Sequence, residues 1–119
     1  MKVLLIKTDG SELWLELTAG RFFKEGPGLI GTDLFDKVNM RDGRTMWVDD
    51  GGWNTETITT PTGFKLQPTT ARWPINQKAT ALYHSVCKPG TTHQIAGDVL
   101  ITNDEEFEAE LPPEEPILL

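Results

Sequence analysis

Leu13, Leu15 and Leu17 alternate with Glu12, Trp14 and Glu16, a period of two that sets the leucines on the inner face of a strand and Trp14 on the more polar one. Upstream, VLLIK (3–7) supplies a partner strand, and Asp9-Gly10 between them is the dipeptide that tolerates positive φ and closes hairpins whose twist matches their strands. A β-hairpin is expected, with Trp14 either a surface anchor or, as is commoner for such a tryptophan, covered by a helix or loop. LFDKVNM (34–40) and RTMWVDD (44–50) surround Arg41-Asp42-Gly43 as a second hairpin, which Gly51-Gly52 ends.

The stretch 18–33 (TAGRFFKEGPGLIGTD) holds Gly20, Gly26, Pro27, Gly28 and Gly31, so it is expected to be a loop with at most one or two turns of helix. From Trp53 to Trp73 threonine is abundant and Pro61, Gly63 and Pro68 interrupt the chain, a composition suited to short irregular strands. Helix is expected at 76–86: Asn76 is a suitable N-cap, and Ala79, Leu82, Tyr83 and Val86 fall on one stripe. TTHQIAGDVLITN (91–103) predicts a strand with its core in Ile95, Val99 and Ile101, and with Gly97 where a bulge or close backbone approach is tolerated. Asn103 with Glu106 resembles a capping box, and Phe107 with Leu111 forms an i, i+4 apolar pair, so a short acidic helix follows.

These elements predict an α+β fold: a small, mostly antiparallel sheet of two hairpins plus a later strand, one packed helix and a short acidic C-terminal helix. Residues 1–102 form the domain, and 103–119 an acidic, proline-rich segment that is a poor source of packed core, anchored by Phe107 and Leu111. At 119 residues the chain has room for one core. Residues 1–102 hold eleven acids and all eleven Lys and Arg, so the net charge of −7 resides in the seven acids of 103–119. An acidic tail on a neutral body argues against direct nucleic-acid binding, and a duplex mimic needs negative charge along a whole face. Cys87 is the single cysteine, which fits a reducing compartment. The apolar run of four residues between Lys2 and Lys7 is too short for a signal peptide or a membrane span.

Catalytic chemistry finds little support. His84, Cys87 and His93 hold one thiol where a structural zinc site wants several ligands, and Cys87 near a helix C-terminus has a dipole that disfavours its thiolate. Asp49 and Asp50 are strand neighbours pointing to opposite faces. GPGLIG (26–31) lacks the strand-to-helix setting of a phosphate loop. No catalytic residue, metal or cofactor is expected. Tryptophan and arginine are frequent interface anchors, so Arg44, Trp53, Arg72 and Trp73 are candidate partner contacts, with Asp104, Glu105, Glu106 and Glu108 of the acidic segment.

DGRTMWVDDGG (42–52), PINQKATALYH (74–84) and IAGDVLITND (95–104) together resemble a small domain-of-unknown-function family of tailed bacteriophages and actinobacterial accessory genes. The resemblance implies a phage-type accessory protein made in a bacterial cytoplasm and carries over no catalytic residue. The expected function is non-enzymatic binding and modulation of a host protein, for host takeover or anti-defence. An alternative is a binder of a nucleotide-like signal, in an oligomer interface, with Arg44, Arg72 and Trp73 as charge and stacking donors. No membrane contact is expected, and a homo-oligomer stays open.

Overall fold

Val99, Leu100, Ile101 and Thr102 are each at most 4 % exposed, and a strand buried on both faces belongs in the middle of a covered sheet. The computed structural model, which describes residues 1–51, 53–55, 58–66, 69–86 and 93–110, places it there. In spatial order the antiparallel sheet runs β2 (Glu12–Glu16), β1 (Lys2–Ile6), β9 (Val99–Asn103), β4 (Arg44–Asp49) and β3 (Phe35–Asn39). Both Asp-Gly hairpins form as expected: Gly10 has φ 88° and Gly43 φ 86°, with Arg41 also left-handed at 63°.

The sheet separates two cores. On one face Ile6, Met46, Val99 and Ile101 meet helix α2 (Gln77–Val86), whose expected stripe of Ala79, Leu82, Tyr83 and Val86 packs here. On the other, Val3, Leu5, Leu100, Phe35 and Trp47 meet Phe22 and Ile30. Phe22 lies in α1 (Ala19–Leu29), an eleven-residue helix where a loop was expected. The glycines misled because packing of the helix outweighs their propensity cost of about 1 kcal/mol each and one of them is required. Gly20 and Gly28 face open space, whereas a Cβ on Gly26 would lie 2.7 Å from Phe35 Cζ, so glycine lets helix and sheet approach. Thr18 caps the helix, its hydroxyl accepting from the Arg21 N–H at 3.2 Å, and Pro27 sits in the last turn, where the one hydrogen bond it removes is followed by only two more helical residues.

Of the expected strand over 91–103, residues 91 and 92 lie outside the described residues and the strand begins only at Val99. Gly97, at φ 84°, turns the chain out of extended geometry before β9 begins, leaving Ala96 in a single bridge to Ile75. The close approach expected at Gly97 is real, since a Cβ there would meet Trp73 Cδ1 at 3.0 Å. The leucine face holds in part: Leu17, just past β2, is buried and Leu15 half-buried as expected, but Leu13 is 53 % exposed, with Trp14 65 % exposed on the other face. β2 is an edge strand, and among the described residues neither core cluster extends to Leu13 or Trp14.

The threonine-rich stretch is a two-stranded arm. β5 (Trp53–Thr55) pairs with β8 (Thr69–Ala71), and nested between them β6 (Ile58–Thr59) pairs with β7 (Lys65–Leu66). Pro61 presets the turn, and Gly63 supplies its left-handed residue at φ 85° while donating to Thr60 O at 2.9 Å. The short acidic helix is α3 (Asp104–Glu110), capped by Asn103 Oδ1, which accepts from Glu106 N–H at 3.1 Å. It is bound to the body more firmly than its composition suggests. Phe107 stacks 5.8 Å from Trp47, Asp104 N–H donates to Gly43 O at 2.8 Å, and Glu110 accepts from Ala19 N–H at 3.0 Å and the Met1 ammonium at 3.2 Å. Leu111 and the rest of the expected segment lie outside the described residues.

Candidate functional site

Arg72 and Trp73 follow β8 and converge on Asp49 at the end of β4. The Trp73 indole N–H donates to Asp49 Oδ2 at 2.7 Å, Thr32 Oγ1 to Oδ1 at 2.6 Å and Gly51 N–H to Oδ1 at 2.9 Å, while Arg72 Nη1 lies 3.7 Å from Oδ2. The Arg72 guanidinium stacks 5.2 Å from the Trp73 ring. Asp49 is 3 % exposed in its side chain. Burial opposes its ionisation, but the Thr32, Trp73 and Gly51 hydrogen bonds and the Arg72 charge outweigh it, holding the carboxyl below the usual aspartate range. This carboxylate fastens the base of the arm to the sheet.

A depressed folded-state pKa contributes stability above the unfolded value of about 3.9 that is lost as pH falls through the folded value. Asp49→Asn is therefore expected to cost about 1–3 kcal/mol at pH 7, with the gap to wild type narrowing toward pH 3. Urea unfolding of both proteins at the two pH values measures it, and an unchanging gap would refute the assignment.

Arg44 stands elsewhere. It opens β4 while Asp49 closes it, so the two lie roughly 17 Å apart at strand rise, and Arg44 Nε is bound to Asp42 Oδ2 at 3.0 Å. Arg44, Arg72 and Trp73 thus do not converge on one site within this chain. Arg44 instead lines a hollow of about 310 Å³ with Lys2, Leu4, Trp14, Ile101 and Glu106. Trp53 sits in β5 opposite Ala71. Asp104 accepts from Thr45 Oγ1 at 2.6 Å, whereas Glu105, Glu106 and Glu108 are exposed along α3.

His84 Nε2 lies 2.6 Å from His93 O, and Cys87 is outside the described residues. Among the described residues no three His, Cys, Asp or Glu side chains group as metal ligands. Asp50 is exposed and Asp49 buried, but Asp50 lies one residue past the end of β4 and both border a hollow of about 210 Å³ beside Asp36, Val48 and His93, so strand alternation does not keep them apart as expected. Of the three stretches that carry the resemblance, 42–52 pairs with 95–104 as β4 and β9, and buried Asn76 of 74–84 donates to Gly97 O at 3.0 Å.

Two exposed apolar groups were not among the candidate partner contacts. Trp14 was placed on the polar face of its strand, where cover by a helix or loop was the commoner expectation. On the arm, Ile58 and Leu66 are paired and 47 % and 54 % exposed, with Phe64 71 % exposed. Their signal was three large apolar residues inside a threonine-rich stretch. Among the described residues no helix is long and apolar enough to cross a membrane. In comparisons with family models, curated proteins and solved structures, nothing matches this chain.

Proposed function

We propose that this chain is a non-enzymatic binding protein that docks on another protein through the tip of its arm. The observation that carries the reading is the face made by Ile58, Phe64 and Leu66. Ile58 and Leu66 are directly opposed, and Phe64, two residues before Leu66, falls on the same side of the ribbon. Covering such side chains is worth about 1.5–3 kcal/mol each, which paired strands of two residues do not supply by themselves. The sequence resemblance supplies the setting: a phage-type accessory factor in a bacterial cytoplasm, acting on a host protein for takeover or anti-defence. The nucleotide-like alternative has less support, because Trp73 and Arg72 are committed to Asp49 and Arg44 lies apart from them.

The double substitution Phe64→Ser, Leu66→Ser is expected to change folding stability by less than about 0.5 kcal/mol, as exposed sites usually do, while removing partner capture. Photo-crosslinking in host lysate from position 62, an exposed neighbour on the same turn that is unchanged in both proteins, tests this. Undiminished capture by the double variant would overturn the reading.

A further inference from the structure

We propose that β2, which among the described residues is a sheet edge without an outer partner strand, takes up an extended peptide segment of a partner protein by strand addition, selecting an apolar centre flanked by basic residues. The inference concerns a different surface from the arm tip and stands on its own observations.

The sheet ends in two edge strands of unlike character. β3 carries Asp36 and Lys37 near its centre, one on each face, the charges by which edges discourage pairing. The centre of β2 is Leu13-Trp14-Leu15, uncharged, with Leu13 53 % and Trp14 65 % exposed. A hollow of about 490 Å³ lined by Lys2, Trp14, Leu15 and Glu16 opens on this edge, on the face that Lys2, Trp14 and Glu16 share.

The backbone is set for pairing. Lys7 N–H donates to Ser11 O at 2.9 Å and Leu17 N–H to Met1 O at 3.0 Å, which marks both ends of the β1·β2 hairpin as hydrogen-bonded pairs. Antiparallel alternation then turns the groups of Leu13 and Leu15 toward β1, and those of Glu12, Trp14 and Glu16 outward. Each of these three residues offers an N–H and a C=O to a strand on the open side.

β1 shows part of what β2 selects. On the inner side Lys2 opposes Glu16, Leu4 opposes Trp14, Leu5 and Val3 oppose Leu13 and Leu15, and apolar Ile6 opposes Glu12, whose charge is met by Lys78 instead. A strand on the outer side meets the same row, so basic residues are wanted opposite Glu12 and Glu16 and apolar ones between. Glu12 already has Lys78 at 3.7 Å and Glu16 the Met1 ammonium at 3.0 Å, yet their side chains remain 46 % and 74 % exposed. A second copy's β2 is a poor occupant: antiparallel pairing centred on Trp14 sets Glu12 against Glu16 twice, and like charges directly opposed destabilise a sheet.

The test is fluorescence anisotropy of a labelled peptide, SKVLVKS, titrated with the full chain at low salt. Saturable binding is expected, about tenfold or more weaker for peptide SEVLVES and for Trp14→Ala. N-methylation of the peptide's central leucine, whose amide would face Trp14, abolishes binding, whereas N-methylation of either valine leaves it nearly unchanged. A side-chain contact without strand pairing would not distinguish these two peptides, and equal effects overturn the proposal. So do equal affinities for the two charge patterns, or a dimer that Trp14→Ala dissociates while the peptide fails to bind. Trp14→Ala is checked for an unchanged melting temperature. The Phe64→Ser, Leu66→Ser protein is expected to bind SKVLVKS normally, which separates this site from the arm tip.

Discussion

Asn76→Asp is expected to destabilise the protein by about 3–5 kcal/mol at pH 7, the cost of an uncompensated buried charge, although it is nearly isosteric. Asn76 is fully buried, its Nδ2 donating to Ile6 O and Gly97 O at 3.0 Å each and its Oδ1 accepting from Ala79 N–H at 3.0 Å. Aspartate preserves the helix cap and the volume, but it turns an oxygen with no proton toward two carbonyl oxygens. Asn76→Ala, which removes the cap and leaves the two carbonyls without their donor, should be damaging but less so at pH 7. Burial raises the pKa of the new carboxyl, so its penalty grows as pH rises above the unfolded value of about 3.9 and shrinks below it. Urea unfolding of the three proteins at pH 7 and pH 4 gives the ranking. An Asp variant as stable as wild type at pH 7 would mean that the amide is not the donor.

Phe22→Ala is expected to cost about 3–5 kcal/mol, the range for truncating a buried aromatic ring. Phe22 has no exposed surface, and its ring centroid lies 5.3 Å from Phe35, 5.1 Å from Trp47 and 5.6 Å from Phe107. It therefore joins α1 and α3 to the sheet at one point. A stability of about 5–15 kcal/mol is usual for a domain, so the loss is a large share of the whole. The tryptophan fluorescence spectrum should shift as Trp47 becomes solvated, and Phe22→Leu should recover a good part of the stability. A cost below about 1 kcal/mol would show that α1 does not depend on this ring.

How far the sequence could be read varied with the range of the interaction involved. Asp9-Gly10 and Asp42-Gly43 announced their hairpins because a left-handed glycine in a tight turn is a demand of neighbouring residues alone. The stripe of Ala79, Leu82, Tyr83 and Val86 with its Asn76 cap was legible for the same reason, as was the Asn103 cap of α3. Helix α1 was not. Its glycines argue against a helix by propensity, and only the approach of Phe35 makes Gly26 an asset.

For the surfaces the division is sharper. Alternation in Glu12–Leu17 told which side chains share a face, but not that β2 lies at the edge, where Leu13 and Trp14 escape cover. Arg44, Arg72 and Trp73 looked like one constellation by composition, yet the length of β4 holds Arg44 apart from the other two. Turns, caps and facial periodicity were determined by the sequence itself, since each depends on residues a few positions apart. Strand order decided the central place of β9, the open edge at β2 and the use of Asn76 and Asp49 as ties between distant segments. The physical reason is that burial and hydrogen-bond satisfaction depend on what the whole chain brings alongside a residue, and local pattern carries no record of that neighbour.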